Sequence, residues 1–269
     1  MRTRIFVLVV LGLALGATAG AAKGPVLGIA TSVVAPARDV EYVATPGRGG
    51  TVLRAIRVRD HKVLRSHRIP GRFGVAVVTF DGTRGGVSPD GSTLVLPSLA
   101  RGDTTRFAVV STDTLRLRKT IALDGLFAYD AISPDGATLY LVEYLSETNY
   151  RVRAVSTATG GLYRRVVVAK GEEGKPMAGY PVTRATTGDG EWAFTLYGRD
   201  DEPAFVHGLY TEARLAVCID LPWTVERSAL MHVRMKMDGA ELVLSDGGGK
   251  VAVVDTTNGY RVTAIRKPE

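Results

Sequence analysis

His207 and Cys218 are the pair whose types and spacing could make a nucleophile. If Thr211–Arg214 closes a tight hairpin, residues whose numbers share their sum face each other across the ladder. Facing side chains stand about 5 Å apart, so an imidazole and a thiol could touch. A Cys–His dyad can attack an acyl carbon. Both residues fall mid-strand, however. Cysteine is among the most buried residue types, and buried thiols are inert, so a packed pair is the preferred reading.

Other chemistry is missing from the sequence. It has no Gly-x-Ser-x-Gly elbow, no His-Glu-x-x-His, no phosphate-cradling glycine loop and no cysteine pair. His61, His67 and His232 lack metal-ligand spacing. Glu172-Glu173 and Asp200-Asp201-Glu202 are acidic, but calcium wants six to eight oxygens in a regular pattern, which neither loop offers. We therefore expect no catalytic residue with a local signature, no metal and no cofactor. Cys218 is the single cysteine, so no internal disulfide forms.

The elements that would position these groups come next. Arg2 and Arg4, the apolar run Ile5–Leu15 and the small residues Ala17–Ala21 mark residues 1–22 as a secretory signal, with an uncleaved anchor as the alternative. No later segment is long and apolar enough to span a membrane. Residues 23–269 then form one domain with a core large enough to need no disulfide. Net charge is +7, or +5 without Arg2 and Arg4. That balance carries no dense basic run, and with export it argues against a nucleic-acid partner.

The domain is a repeat. Ser133-Pro134-Asp135-Gly136 recurs identically at Ser88–Gly91. Thr187–Gly190 and Lys236–Gly239 keep the Asp-Gly, and Ala35–Arg38 keeps only the proline. Proline presets the first central position of a type I turn, and glycine at the fourth position accepts a left-handed backbone. A second landmark lies 24 residues after each turn begins, at Thr112, Thr157 and Thr211, with Arg59 at the same offset and Thr256 at an offset of 20. The turns are 53, 45, 54 and 49 residues apart. Four short strands per repeat of this length imply propeller blades. The pattern S-P-D-G-x-x-L-Y-L followed by V-V-D-T-x-x-G resembles the YVTN-type and TolB-like (WD-like) β-propeller repeats. The expected fold is all-β, a β-propeller of about five four-stranded blades. Blade two is expected to begin with the strand Thr83–Val87, and the second strand of blade three is expected at Thr138–Tyr144, while Val75–Phe80 is an extra β-like run, either an inserted hairpin or part of a sixth blade.

That resemblance implies a binding face at one end of the ring. Its longest loops would carry Phe73, Asp81, Lys175, Tyr180, Trp223, Glu226 and Arg227. A flat indole beside Glu226 and Arg227 would suit a sugar or peptide, although packing of Trp223 between blades is the plainer reading. Arg54, Arg57, Arg59, Lys62, Arg65 and Arg68 crowd the outer strands of the first blade. Such charges protect a sheet edge from pairing. Alternatively they form a basic flank for an acidic cell-wall polymer or a membrane surface.

The expected function is a secreted or envelope-associated binding scaffold whose partner is a protein or a cell-wall glycan. A lactonase-like propeller hydrolase with a site in the central channel, and a periplasmic TolB-like accessory protein, are the alternatives. Sequence leaves oligomeric state open.

Overall fold

The computed structural model describes residues 27–35, 38–98, 103–146, 149–170, 172, 174 and 177–269. The expected leader Met1–Ala22, Pro36, Ala37, Glu173 and Lys175 lie outside the described residues.

The repeat turn forms as its chemistry dictates. In Ser133–Gly136 the Gly136 amide donates to the Ser133 carbonyl at 2.9 Å, and Gly136 has φ +71°. Asp135 Oδ1 accepts the Ser133 hydroxyl at 2.6 Å and the Ala137 amide at 2.9 Å. The hydrogen bond from Ser133 leads in holding its carboxyl below the usual range. Asp90 and Asp189 repeat this arrangement.

Each turn joins two strands of an antiparallel sheet. A short first strand, β1 (Ile29–Ala30), precedes the blades. Blade one is β2 (Ser32–Ala35), β3 (Val40–Gly47), β4 (Gly50–Arg57) and β5 (Val63–Ile69). An insert follows, β6 (Val75–Val77) and β7 (Arg84–Gly85). Blade two is β8 (Thr93–Pro97), β9 (Thr104–Ser111) and β10 (Leu117–Asp124). Blade three is β11 (Leu126–Ile132), β12 (Thr138–Tyr144), β13 (Asn149–Ser156) and β14 (Leu162–Val167), with β15 (Met177–Ala178) added beside β13. Blade four is β16 (Tyr180–Thr186), β17 (Trp192–Gly198), β18 (Phe205–Tyr210) and β19 (Leu215–Asp220). After a one-turn helix, α1 (Arg227–His232), blade five is β20 (Arg234–Asp238), β21 (Glu241–Asp246), β22 (Gly249–Asp255) and β23 (Arg261–Ala264). These repeated sheets are the β-propeller that the turns and their spacing imply.

The apolar runs are continuous because both faces of an inner blade are covered. On β12, Leu139 and Leu141 enter the cluster shared with blade two, while Tyr140, Val142 and Tyr144 enter the one shared with blade four. Four such clusters join blades one and two, two and three, three and four, and four and five. Among the described residues, no cluster joins blade five to blade one.

Two expectations shift. The inner run of blade two, Thr83–Val87, is divided. Arg84 and Gly85 pair with β6, and only Gly86–Ser88 lies along β8, through Val95 N to Gly86 O at 2.7 Å and Ser88 N to Thr93 O at 2.9 Å. The extra run is therefore an inserted hairpin. β1, β6 and β7 make a three-stranded sheet of their own. Secondly, the position matching Thr112 in blade one is Val58 and not Arg59, since Val58 N donates to Asp39 O as Thr112 N donates to Ser92 O.

Candidate functional site

The insert crosses from blade two to blade four. Val75 packs with blades one and two, Ala76 and Val78 with blades two and three, and Phe80 with blades four and five. Its tip docks on β16, with the Phe80 amide on Pro181 O at 3.0 Å and the Asp81 amide on Val182 O at 3.1 Å. This docking falls where β16 is bulged, between Pro181 and Thr183, and a bulge frees backbone groups from the ladder.

Around that contact lies a small surface site. The Arg227 guanidinium sits 4.3 Å from the centre of the Tyr180 ring and 5.6 Å from that of Phe80. The two rings meet edge to face at 6.5 Å. Arg227 is exposed and makes no ion pair among the described residues. Its planar cation thus rests on π faces, and its N–H donors have no partner among the described residues, which leaves them open to an anion. The Tyr180 hydroxyl is buried against Gly198 without a hydrogen-bond partner among the described residues, and burial raises its pKa. Asp81 Oδ1 accepts the hydroxyls of Thr79 at 2.6 Å and Thr83 at 2.7 Å, and the Thr83 amide at 3.0 Å. Burial pushes its carboxyl upward, but bonds from Thr183, Thr79 and Thr83 outweigh that and keep it low. Asp81 therefore stays ionised and fixes the tip.

Of the residues expected on this face, Asp81, Tyr180 and Arg227 are brought together, and Glu226 is exposed next to Arg227 at the start of α1. Phe73 is buried between blades one and two, its amide donating to Thr51 Oγ1 at 2.8 Å. Trp223 is 2% exposed and belongs to the core between blades four and five, so its ring offers no open platform. Phe80 was missed as a site residue. Its signal was the extra apolar run, which sequence alone could not place.

A second cluster lies on the inner strands. Asp130 is the extra residue of a bulge in β11 and is 2% exposed. Arg184 on β16 donates to both the Asp130 carbonyl and Oδ1, and its Nε reaches Thr195 Oγ1 at 2.9 Å. Asp130 Oδ2 has no hydrogen-bond partner among the described residues. These two residues, with Tyr129, Thr186 and Arg84, line a cavity of about 150 Å³.

His207 and Cys218 do face each other in the β18–β19 ladder. Burial, offset in part by Asp130, lowers the His207 pKa to about 4, so it is neutral. Burial first, then Glu172 and Asp220, pushes the Cys218 thiol up to about 12. Two groups so displaced cannot form a thiolate–imidazolium pair at neutral pH. Among the described residues, no cluster of His, Cys, Asp and Glu could hold a metal ion.

On the basic flank, Arg57 pairs with Asp60 at 2.9 Å and Arg59 with Asp39 at 3.5 Å. Arg54, Lys62, Arg65 and Arg68 make no ion pair among the described residues, and all but Arg54 are exposed. No helix among the described residues is long and apolar enough to cross a membrane.

No family model matches the chain, and neither does any curated protein. Solved structures do. A functionally unknown protein from Desulfotomaculum acetoxidans aligns at TM-score 0.55 and 13% identity, over 88% of this chain and 69% of that one. Hydrazine synthase of Kuenenia stuttgartiensis aligns at TM-score 0.52 and 15% identity, over 93% of this chain and 70% of that one. TolB from Acinetobacter baumannii aligns at TM-score 0.47 and 12% identity, over 90% of this chain and 55% of that one. At such identities the likeness is one of fold, and one fold serves many activities. The chain is thus similar to β-propeller proteins of varied function.

Proposed function

We propose that the protein is an exported binding scaffold that holds an acidic glycan or peptide of the cell envelope on the Arg227–Tyr180–Phe80 face. The observation that carries this reading is the exposed Arg227 guanidinium laid over two aromatic rings with no carboxylate paired to it among the described residues. A guanidinium held this way presents a planar fork to a carboxylate or phosphate. Lys62, Arg65 and Arg68, which make no ion pair among the described residues, add a second, diffuse attraction for the same class of ligand. The leader sequence supports export.

Co-sedimentation of the purified protein with envelope material from its own source, across a salt series, tests the reading. Saturable binding weakened by Arg227→Gln supports it. Binding unaffected by Arg227→Gln but lost in the triple Gln variant of Lys62, Arg65 and Arg68 would move the site to blade one. No binding at any salt would overturn the scaffold.

One observation favours a hydrolase instead, the unpartnered Asp130 Oδ2 at the inner cavity. That cavity, about 150 Å³, is small beside the ~300–1,000 Å³ of ordinary ligand pockets. Turnover of a lactone or ester panel that disappears in Asp130→Asn would establish this reading.

A further inference from the structure

The two terminal blades differ in how their unpacked faces are finished. Each turns one face to its neighbour. On blade one that face carries Tyr42, Ala44, Leu53 and Ala55, all buried. On blade five it carries Leu242, Leu244, Ala252 and Val254. The opposite faces meet no core cluster among the described residues.

On blade five the opposite face is mostly polar, with Val243 and Val253 as apolar positions within it. Arg234, Lys236, Asp238 and Glu241 follow one another along it and are exposed. That is how an end repeat is kept soluble. Blade one has no such finish. Val34, Val43, Val52, Ile56 and Val63 share its opposite face by register. Val34 is 46% and Val63 52% exposed, and the other three are only partly buried. Contiguous apolar surface of this kind marks an interaction site.

Three charges among the described residues lie on this face, Glu41, Arg54 and, at its edge opposite Val52, Arg68, and the first two point to one occupant. Glu41 stands opposite Ile56 and Arg54 opposite Val43, so the two charges sit diagonally on adjoining strands. Neither makes an ion pair within the chain among the described residues. A two-fold axis through the face would set Glu41 against Arg54 of a second copy, and Arg54 against its Glu41. Isologous interfaces are built from such self-complementary pairs. Head-to-tail packing of blade five onto blade one would instead bury the Arg234 and Lys236 cations against valine and isoleucine, which is costly.

We propose that the unpacked face of blade one is a homodimer interface, two copies meeting sheet to sheet with reciprocal Glu41–Arg54 pairs. The surface is separate from the Arg227 face and shares only Arg68 with the basic flank.

Sedimentation velocity of the protein purified from full-length expression, over a wide concentration range, tests the proposal. A monomer–dimer equilibrium is expected. Glu41→Arg and Arg54→Glu should each weaken it by about tenfold or more, a difference of the size one charged contact supplies. The double variant Glu41→Arg/Arg54→Glu should recover it, because the pair is restored with its signs exchanged. Recovery also separates a lost contact from a damaged fold, and thermal melts of each variant check folding directly. A monomer at every concentration overturns the proposal. So does a dimer that both single reversals leave unchanged, or one that the double variant fails to recover.

Discussion

The hydroxyl of Thr157 donates to the carbonyl of Gly136 at 2.8 Å, so the two landmarks of the repeat are the two ends of one hydrogen bond. Thr112 bonds Gly91 O at 2.5 Å and Thr211 bonds Gly190 O at 3.1 Å in the same way. In blade five Thr256 reaches Ala240 O at 2.7 Å, the acceptor equivalent to Ala137 O of blade three, across a stretch of chain four residues shorter. The spacing of the landmarks is thus the length of chain needed to run out along β12 and back along β13 to the turn.

Removing this bond should cost stability without disturbing shape. Thr157→Val keeps the side-chain volume and leaves the Gly136 carbonyl short of a donor. A loss of about 1–2 kcal/mol in urea unfolding is expected. No loss would mean that water replaces the hydroxyl.

The Asp130–Arg184 pair ties blade three to blade four from positions that are nearly closed to solvent. Arg184→Met leaves a buried carboxylate alone and should destabilise by about 3–5 kcal/mol. The double variant Asp130→Asn/Arg184→Met should recover much of that, since no net charge is then buried. A double-mutant cycle by chemical denaturation measures the coupling. A near-zero interaction would show that the two side chains act separately.

His207 gives the fold a defined pH limb. Its folded pKa is lowered from 6.5 to about 4 by burial. The unfolded chain therefore takes up the proton first. The stabilisation is full above the unfolded value and is lost as pH falls through that window, to a limit of about 3 kcal/mol for a shift of this size. His207→Phe should flatten the stability profile between these two values while keeping the ring against Tyr197. A profile unchanged by the substitution would assign the limb to carboxylates.

Cys218 should behave as a structural thiol. With its pKa pushed up to about 12, native protein should react slowly with a disulfide reagent near neutrality and quickly once unfolded. Labelling of the folded protein at the rate of a free thiol would reopen the case for a nucleophile.

The turns and blade boundaries were legible because their signals are local. Pro134, Asp135 and Gly136 each act within four residues, and the β12 run Thr138–Tyr144 is bounded as its alternation predicts. Arg59 was misplaced by one because the first turn lacks Asp-Gly, which removes the fixed point from which the offset is measured. The split of Thr83–Val87 was not legible. Two runs, Val75–Phe80 and Thr83–Val87, compete for the same partners, and only contacts with blades three and four decide between them. Trp223 shows the limit at the site. A loop indole next to Glu226 and Arg227 has the same sequence whether its ring points into the core or out of it, and the apolar gap between blades four and five draws it in.

Because no core cluster joins blade five to blade one among the described residues, the blades have the logic of a row of books rather than of a wheel. Inner volumes are held from both sides, and each end volume from one. Opening should then start at the ends and move inward, so amides of β2–β5 and β20–β23 should exchange before those of β12 and β17. A row also tolerates growth, because another repeat copied onto the polar end of blade five would cover a free face without prising apart any existing pair.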